Sequence, residues 1–184
     1  MHRCDTRTRS AGPALTRRRL LGIAALVPVA GCLTSPSSSS PPHEAVEVDD
    51  GHLYGPGLTS ELDEAFYAAL VLERAGADRF LRARLTDEAR AFLDGTDFAT
   101  QLMGVIQVAG VNSSTFLDVV DLALTPVNLT VVLALRDEPP HSDDRVITTL
   151  LVRVPRRGGN APERIWVELG IHGRDVTFSG ERVP

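Results

Sequence analysis

Residues 127–135 read VNLTVVLAL, and the alternation within this stretch decides the fold. One side is apolar at every second position, at Val127, Leu129, Val131, Leu133 and Leu135. The opposite side takes Asn128, Thr130, Ala134 and Arg136. Because successive side chains of a β-strand point to opposite faces, this period of two predicts a strand with one buried face.

Further strands are predicted on both sides of this stretch. Leu102, Gly104, Ile106 and Val108 would share one strand face, and residues 146–154 and 165–169 are similarly apolar. Polar, Gly-rich or Pro-rich segments separate these runs, at residues 112–114, 125–126, 137–144, 157–160 and 172–173. Six strands after residue 98 predict a mainly β (α+β) domain, either an antiparallel β-sandwich or an open barrel.

The segment before residue 98 predicts one strand and one or two short helices. Residues 65–74 contain a continuous apolar run, which we interpret as a strand. A first helix is expected from Asp78 to about Leu85. Thr86, followed by two acidic residues, is typical of a helix N-cap, so a second helix should run to Leu93 and end at Gly95. We expect these helices, near residues 78–94, to cover one end of a single β-rich domain spanning 61–184.

Charge and composition indicate the kind of organism and the kinds of partner that the domain would have. All 19 basic residues are arginines, which indicates a high-GC genome, and a halophilic archaeon is favoured over a high-GC bacterium. The chain after Cys32 holds 13 arginines and 23 acidic residues, a net charge of −10. A surface of that sign repels phosphates, so nucleic acid is not expected as a partner.

The N-terminus has the order of an export signal. Arg17 and Arg18 precede Leu20 and Leu21, which begin an apolar stretch of about 11 residues. A helix spanning a bilayer core needs about 20 residues, so this stretch is too short to be one. It is typical of a cleaved signal peptide covering residues 1–31.

Small residues then lead to a cysteine, in the order Val29, Ala30, Gly31, Cys32. This tetrad resembles the lipobox of bacterial and archaeal lipoproteins, and the arginine pair resembles a twin-arginine export signal. The resemblance implies a diacylglycerol on Cys32 and a domain held on the outer face of the cell membrane. The alternatives are an uncleaved anchor, a cleaved signal without lipid, and export by the general secretory route.

The cysteine count and the following residues agree with this interpretation. Cys4 would leave with the signal peptide, so Cys32 would be the last thiol and the domain would hold no disulfide or thiolate metal site. Residues 33–42 read LTSPSSSSPP, a composition that cannot bury apolar surface. We therefore interpret residues 32–60 as a flexible, lipid-anchored linker.

The order of elements in the body also resembles a known kind of domain. The matching pieces are residues 70–72 (LVL), Asp97-Phe98, residues 105–108 (VIQV), and the strands at 129–135 and 150–155. In this order the chain resembles the small β domains of the PrcB-like protease-complex stabilising subunit and of BsuPI-type proteinase inhibitors. The resemblance implies a β domain that does not itself catalyse a reaction.

Few residues of the body suggest catalysis. His141 and Asp143 lie in a Pro-rich loop, where a base or a metal ligand would be accessible, but a solvated acidic loop is the simpler interpretation. His172 and the hydroxyl run Ser113, Ser114 and Thr115 are better explained as turns. We therefore predict no catalytic residue, no metal site and no cofactor.

Two kinds of surface feature remain. Asn112 and Asn128 each begin an Asn-X-Ser/Thr sequence, the acceptor pattern for N-glycosylation. Trp166 lies opposite the apolar face of its strand, where we expect it to pack beneath the helices. The alternative is an exposed aromatic anchor for a partner.

These observations favour a surface lipoprotein with a non-catalytic binding or accessory domain. A protein partner at the cell surface is the expected ligand. The alternatives are an extracytoplasmic hydrolase that uses the loop of His141 and Asp143, and a structural protein of the cell envelope.

Overall fold

Eight strands and two short helices follow one another in the computed structural model, which describes residues 40–48, 57–58, 65–80, 85–156, 161–171 and 173–184. The strands are β1 (Glu44–Val48), β2 (Phe66–Val71), β3 (Gln101–Val111), β4 (Thr115–Leu124), β5 (Asn128–Asp137), β6 (Val146–Pro155), β7 (Arg164–Ile171) and β8 (Arg174–Glu181). The helices are α1 (Arg74–Ala77) and α2 (Asp87–Asp94).

The strands form two four-stranded sheets. Sheet I has the order β1-β6-β3-β2, and sheet II has the order β4-β5-β7-β8. The predicted mainly β fold is confirmed as a sandwich, with six of its strands after residue 98. The antiparallel prediction is wrong for one pair, because β5 and β7 are parallel. Along the chain, β6 separates these two strands and lies in sheet I, so the chain returns to sheet II in its earlier direction.

The main core lies between the two sheets. It contains the buried side chains of Ala68, Leu70, Leu102, Ile106, Val108, Leu117, Leu122, Leu129, Val131, Leu133, Leu150, Val152, Val154, Ile165, Val167 and Leu169. The predicted apolar face of β5 is therefore confirmed from Leu129 onward, whereas Val127 precedes the strand and is 55% exposed. Gly104 brings the sheets close together, because a Cβ there would lie 2.9 Å from the Ile165 Cδ1 atom and 3.3 Å from the Leu129 Cδ2 atom.

A second core covers the other face of sheet I. The buried side chains there are Val46, Val48, Ala69, Val71, Ala77, Phe80, Leu85, Ala89, Leu93, Met103, Val105 and Leu151. Sheet I is thus buried on both faces. A buried polar residue, Gln107, lies on this second face, and both polar atoms of its amide are hydrogen-bonded. Its Oε1 atom accepts from Leu58 N (2.8 Å), and its Nε2 atom donates to Thr149 Oγ1 (3.0 Å).

The two helices meet the predictions differently. α2 begins as expected, since the Thr86 hydroxyl accepts a hydrogen bond from Ala89 N at 3.2 Å, and Gly95 follows its last residue. The first helix does not start at Asp78. It occupies Arg74–Ala77, where Gly76 lets it approach β2 so closely that a Cβ would lie 3.1 Å from Val71 Cγ1. Residues 81–84 lie outside the described residues.

The predicted linker boundary at residue 60 is wrong, because the folded part begins earlier. β1 pairs antiparallel with β6 and forms an edge of sheet I. Val46 and Val48 bury their side chains in the second core, and this burial stabilises the strand. The polar residues around the two valines give the sequence no clear strand pattern there. Leu58 is buried as well.

The two long edges of the sandwich are closed in different ways. At one edge, β8 reaches β2: Val183 N donates to Leu70 O at 2.9 Å, and a Cβ on Gly180 would lie only 1.7 Å from Ala68 O. At the other edge, side chains hold β4. Its amide at Leu117 donates to Glu47 Oε2 (3.1 Å), and its amide at Leu122 donates to Ser40 Oγ (2.8 Å).

The contact between β2 and β8 yields a stability prediction. We expect Gly180→Ala to lower the free energy of unfolding by about 1–3 kcal/mol, because the added carbon overlaps a backbone oxygen that cannot rotate away. Urea denaturation of the purified protein measures the loss. Gly170→Ala is the matched control, since a Cβ there meets ordinary contacts at 3.9 Å. Equal stability of the two variants would contradict the close approach.

Candidate functional site

The residues of the predicted export signal and lipid site lie outside the described residues. They are Arg17, Arg18, Leu20, Leu21, Val29, Ala30, Gly31 and Cys32. The signal peptide and the lipid anchor therefore stay predictions. Within the described part of the chain, no helix has the length and apolar character needed to cross a membrane.

Two predicted loops meet at one end of the sandwich. The turn between β3 and β4 is joined to the loop between β5 and β6 through Asp144, whose Oδ1 atom accepts from Ser113 N (3.0 Å) and Ser113 Oγ (3.1 Å). The Ser142 hydroxyl donates to the same carboxylate. Ser114 Oγ donates to Pro140 O at 2.6 Å and accepts from Ser142 N at 3.1 Å. These hydroxyls therefore hold the two loops together.

The same hydrogen bonds stabilise the charged form of Asp144. The Ser142 hydroxyl, and after it the Ser113 amide, lower the pKa of this carboxyl below its ordinary value of 3.8. A lowered pKa in the folded state means that the carboxylate stabilises the fold above pH 3.8. This contribution is lost as the pH falls through the lowered pKa. The loops should therefore stay joined at neutral and mildly acidic pH.

The predicted hydrolase pair does not form a catalytic arrangement with these hydroxyls. His141 and Asp143 are exposed, and among the described residues no hydrogen bond joins either side chain to Ser113 or Ser114. The described residues also contain no group of three His, Cys, Asp or Glu side chains placed to hold a metal ion. His172 lies outside the described residues.

A cleft of about 300 Å³ opens at this end, between the two sheets. Its apolar wall is made by half-buried side chains that also pack on the main core, namely Phe66, Val111, Leu135 and Ile171. They come from the start of β2 and from the ends of β3, β5 and β7. The cleft is more enclosed than the grooves along the two edges of the sandwich.

Oxygen atoms form the polar side of the cleft. Thr115, which is 5% exposed, places its hydroxyl oxygen 2.7 Å from Asp137 Oδ1 and 2.8 Å from Asn112 Oδ1. Asn112 Oδ1 also accepts a hydrogen bond from Ser114 N at 2.9 Å. Asn112 is half-buried, and its amide oxygen accepts these two hydrogen bonds. Glycosylation of Asn112 and of Asn128 stays a prediction.

Sheet II offers a second candidate surface, its outer face. Trp166 lies there and is 38% exposed, between Thr130 of β5 and Ser179 of β8. The expectation that Trp166 packs beneath the helices is wrong, because the helices cover sheet I instead. Strand periodicity separates the two faces of β7, but it does not say which sheet the helices cover.

Charged side chains share the outer face of sheet II with this tryptophan. On β7 itself, Arg164 and Glu168 flank Trp166 at the positions two residues away, and both are exposed. Farther along the same face, six residues beyond Thr130 on β5, Arg136 pairs with Asp118 through an Nε to Oδ2 contact of 2.7 Å. This hydrogen bond raises the pKa of Arg136, whose guanidinium also lies over the ring of Phe116 at 5.3 Å.

The contact at Asp144 can be tested by hydrogen exchange. We expect Asp144→Ala to speed the exchange of the Ser113 amide, because that amide loses its acceptor. Asp143→Ala, which changes the same charge in the same exposed loop, should leave that exchange rate unchanged. Similar rates in the two variants would mean that Asp144 does not hold the loops together.

Comparison of the chain with protein-family models, with curated proteins and with solved structures finds no match. The resemblance to PrcB-like and BsuPI-type β domains, like the resemblance to twin-arginine lipoproteins, stays a prediction.

Proposed function

We propose that this protein is an exported lipoprotein, anchored outside the cytoplasm through Cys32, whose β-sandwich binds a protein partner and acts as an accessory subunit at the membrane. The order of arginine pair, apolar stretch, Val29-Ala30-Gly31-Cys32 and Ser/Pro-rich linker supports the anchor. Export by the twin-arginine route from a halophilic archaeon is the finer proposal. It rests on Arg17-Arg18 and on the absence of lysine from an acidic chain.

The exposed Trp166 on the outer face of sheet II carries the binding part of the proposal. Trp, Tyr and Arg are the residues that most often dominate binding energy at protein interfaces, particularly near the centre of the contact. Trp166 lies on β7, one of the two inner strands of sheet II, so the neighbouring strands extend the surface on both sides. A strand backbone holds it, so binding orders little beyond the side chain itself.

Charge indicates the chemistry of the partner. The carboxylates on this face of sheet II outnumber the arginines: the former are Asp118, Asp121, Glu168, Asp175 and Glu181, and the latter are Arg136 and Arg164. A partner with basic side chains around an apolar pocket for the indole would be complementary to it. Such complementarity raises the association rate and excludes acidic competitors.

The anchor proposal predicts where the protein is found. Cys32→Ser should move it from the membrane fraction to the soluble fraction outside the cell, because no lipid can be attached to a serine hydroxyl at this position. Cell fractionation with an antibody against the domain measures the shift. Cys4→Ser is the matched control and should leave the protein in the membrane fraction. Membrane retention of Cys32→Ser would contradict lipidation at this residue.

The binding proposal predicts the effect of removing the indole. In a pull-down of the lipidated protein from membranes, Trp166→Ala should weaken capture of a defined partner by about 30-fold, as for a central interface residue. Val127→Ala, at an exposed apolar residue in the turn before β5, should change capture little. Retained capture by Trp166→Ala would remove this face from the proposal.

A hydrolase that uses the loop of His141 and Asp143 is the second candidate. It would lose its activity in His141→Ala while binding through Trp166 persisted. Partner capture that survives His141→Ala and fails in Trp166→Ala favours the accessory subunit. A structural envelope role would show instead as self-association of the protein.

A further inference from the structure

We propose that the cleft at the loop end of the sandwich binds the primary ammonium group of a small amphiphilic amine, with the apolar chain of the ligand lying along Phe66, Val111, Leu135 and Ile171. This site is separate from the outer face of sheet II. It does not depend on the function proposed above.

The size and walls of the cleft indicate a small organic ligand. Its volume of about 300 Å³ lies at the lower end of the range for small-molecule sites. The four apolar residues continue the main core to the surface, so a hydrocarbon chain placed there would leave water for an apolar contact. A bare metal ion would leave this wall unused, since hard cations are held by oxygen ligands alone.

The polar side of the cleft indicates a hydrogen-bond donor. The Thr115 hydroxyl oxygen lies 2.8 Å from Asn112 Oδ1 and 2.7 Å from Asp137 Oδ1, and its single proton is the only one that these three oxygens carry. The remaining lone pairs of Asp137 and Thr115 accept donors. A primary ammonium carries three donors and no acceptor, so it complements this group of oxygens.

The charge of the cleft disfavours an anionic ligand. Its lining contains one carboxylate, Asp137, and no arginine or histidine among the described residues. The chain after Cys32 carries a net charge of −10, which attracts cations and repels carboxylates. The hydrocarbon chain of a fatty acid would fit the apolar wall, but its carboxylate would be repelled by Asp137.

NMR titration of the protein with n-hexylammonium, hexanoate and 1-hexanol tests the proposal. We expect hexylammonium to shift the backbone amides of Val111, Leu135 and Ile171, and to bind at least tenfold more tightly than hexanoate. Lengthening the chain from butyl to hexyl should tighten binding by about two- to fourfold per methylene. Added NaCl should weaken the binding of hexylammonium but not that of hexanol.

Variants separate the carboxylate from the cleft itself. Asp137→Asn should weaken hexylammonium at least tenfold and leave hexanol unchanged, so hexanol binding also reports that the variant is folded. Glu163→Gln removes the same charge at the opposite end of β7 and should change neither ligand. Equal binding of hexanoate, or undiminished binding to Asp137→Asn, would overturn the proposal.

Two further titrants identify the source of the charge. If CaCl2 produces the same amide shifts at a lower concentration than hexylammonium, the cleft oxygens bind a metal ion. That result would overturn the proposal. N-acetyl-lysine methylamide carries the same ammonium on a protein side chain. Binding of this compound as tight as that of hexylammonium would contradict a free amine as the ligand.

Discussion

The burial of sheet I on both faces is the constraint on which the rest of the fold depends. Sheet II covers one face and the helices cover the other, so β3 and β6 must be apolar almost throughout. Gly104 makes the inner contact close, because its missing side chain is replaced by the ends of Leu129 and Ile165. With sheet I in the middle, sheet II becomes the outer layer and Trp166 is left facing the solvent.

The sequence predicted those strands and helices whose stability depends mainly on residues close to them in the chain. The alternation in residues 127–135 predicted β5, and the Thr86 hydroxyl with its acidic neighbours predicted the start of α2. β1 was missed because the valines at 46 and 48 lie among polar residues and gain their stability from β6, about 100 residues later. The parallel pair was missed for a similar reason, since strand order depends on pairing between distant segments.

The candidate sites depend even more on distant pairing. The sequence identified the two loops at the end of the sandwich, but their connection through Asp144 requires residues 31 positions apart to meet. The cleft was not predicted, because its apolar wall takes one residue from each of four strands. The single local signal was Asp137, an acid at the end of an apolar strand, and such residues are common at strand ends.

The support of β4 by Ser40 and Glu47 has a consequence for proteolysis of the exported, lipid-anchored protein that we propose. Ser40 lies eight residues after Cys32 and also lowers the pKa of Asp121 by donating a hydrogen bond to it. A protease that cuts before Ser40 would shed a domain whose β4 edge is still covered. A cut a few residues later would remove Ser40 and leave the Leu122 amide of β4 without this acceptor, while Glu47 would still hold the Leu117 amide. A strand edge with free amides can pair with other strands. In the proposed anchored protein, the position of cleavage would thus decide how well the β4 edge of the released domain is protected from pairing with other strands.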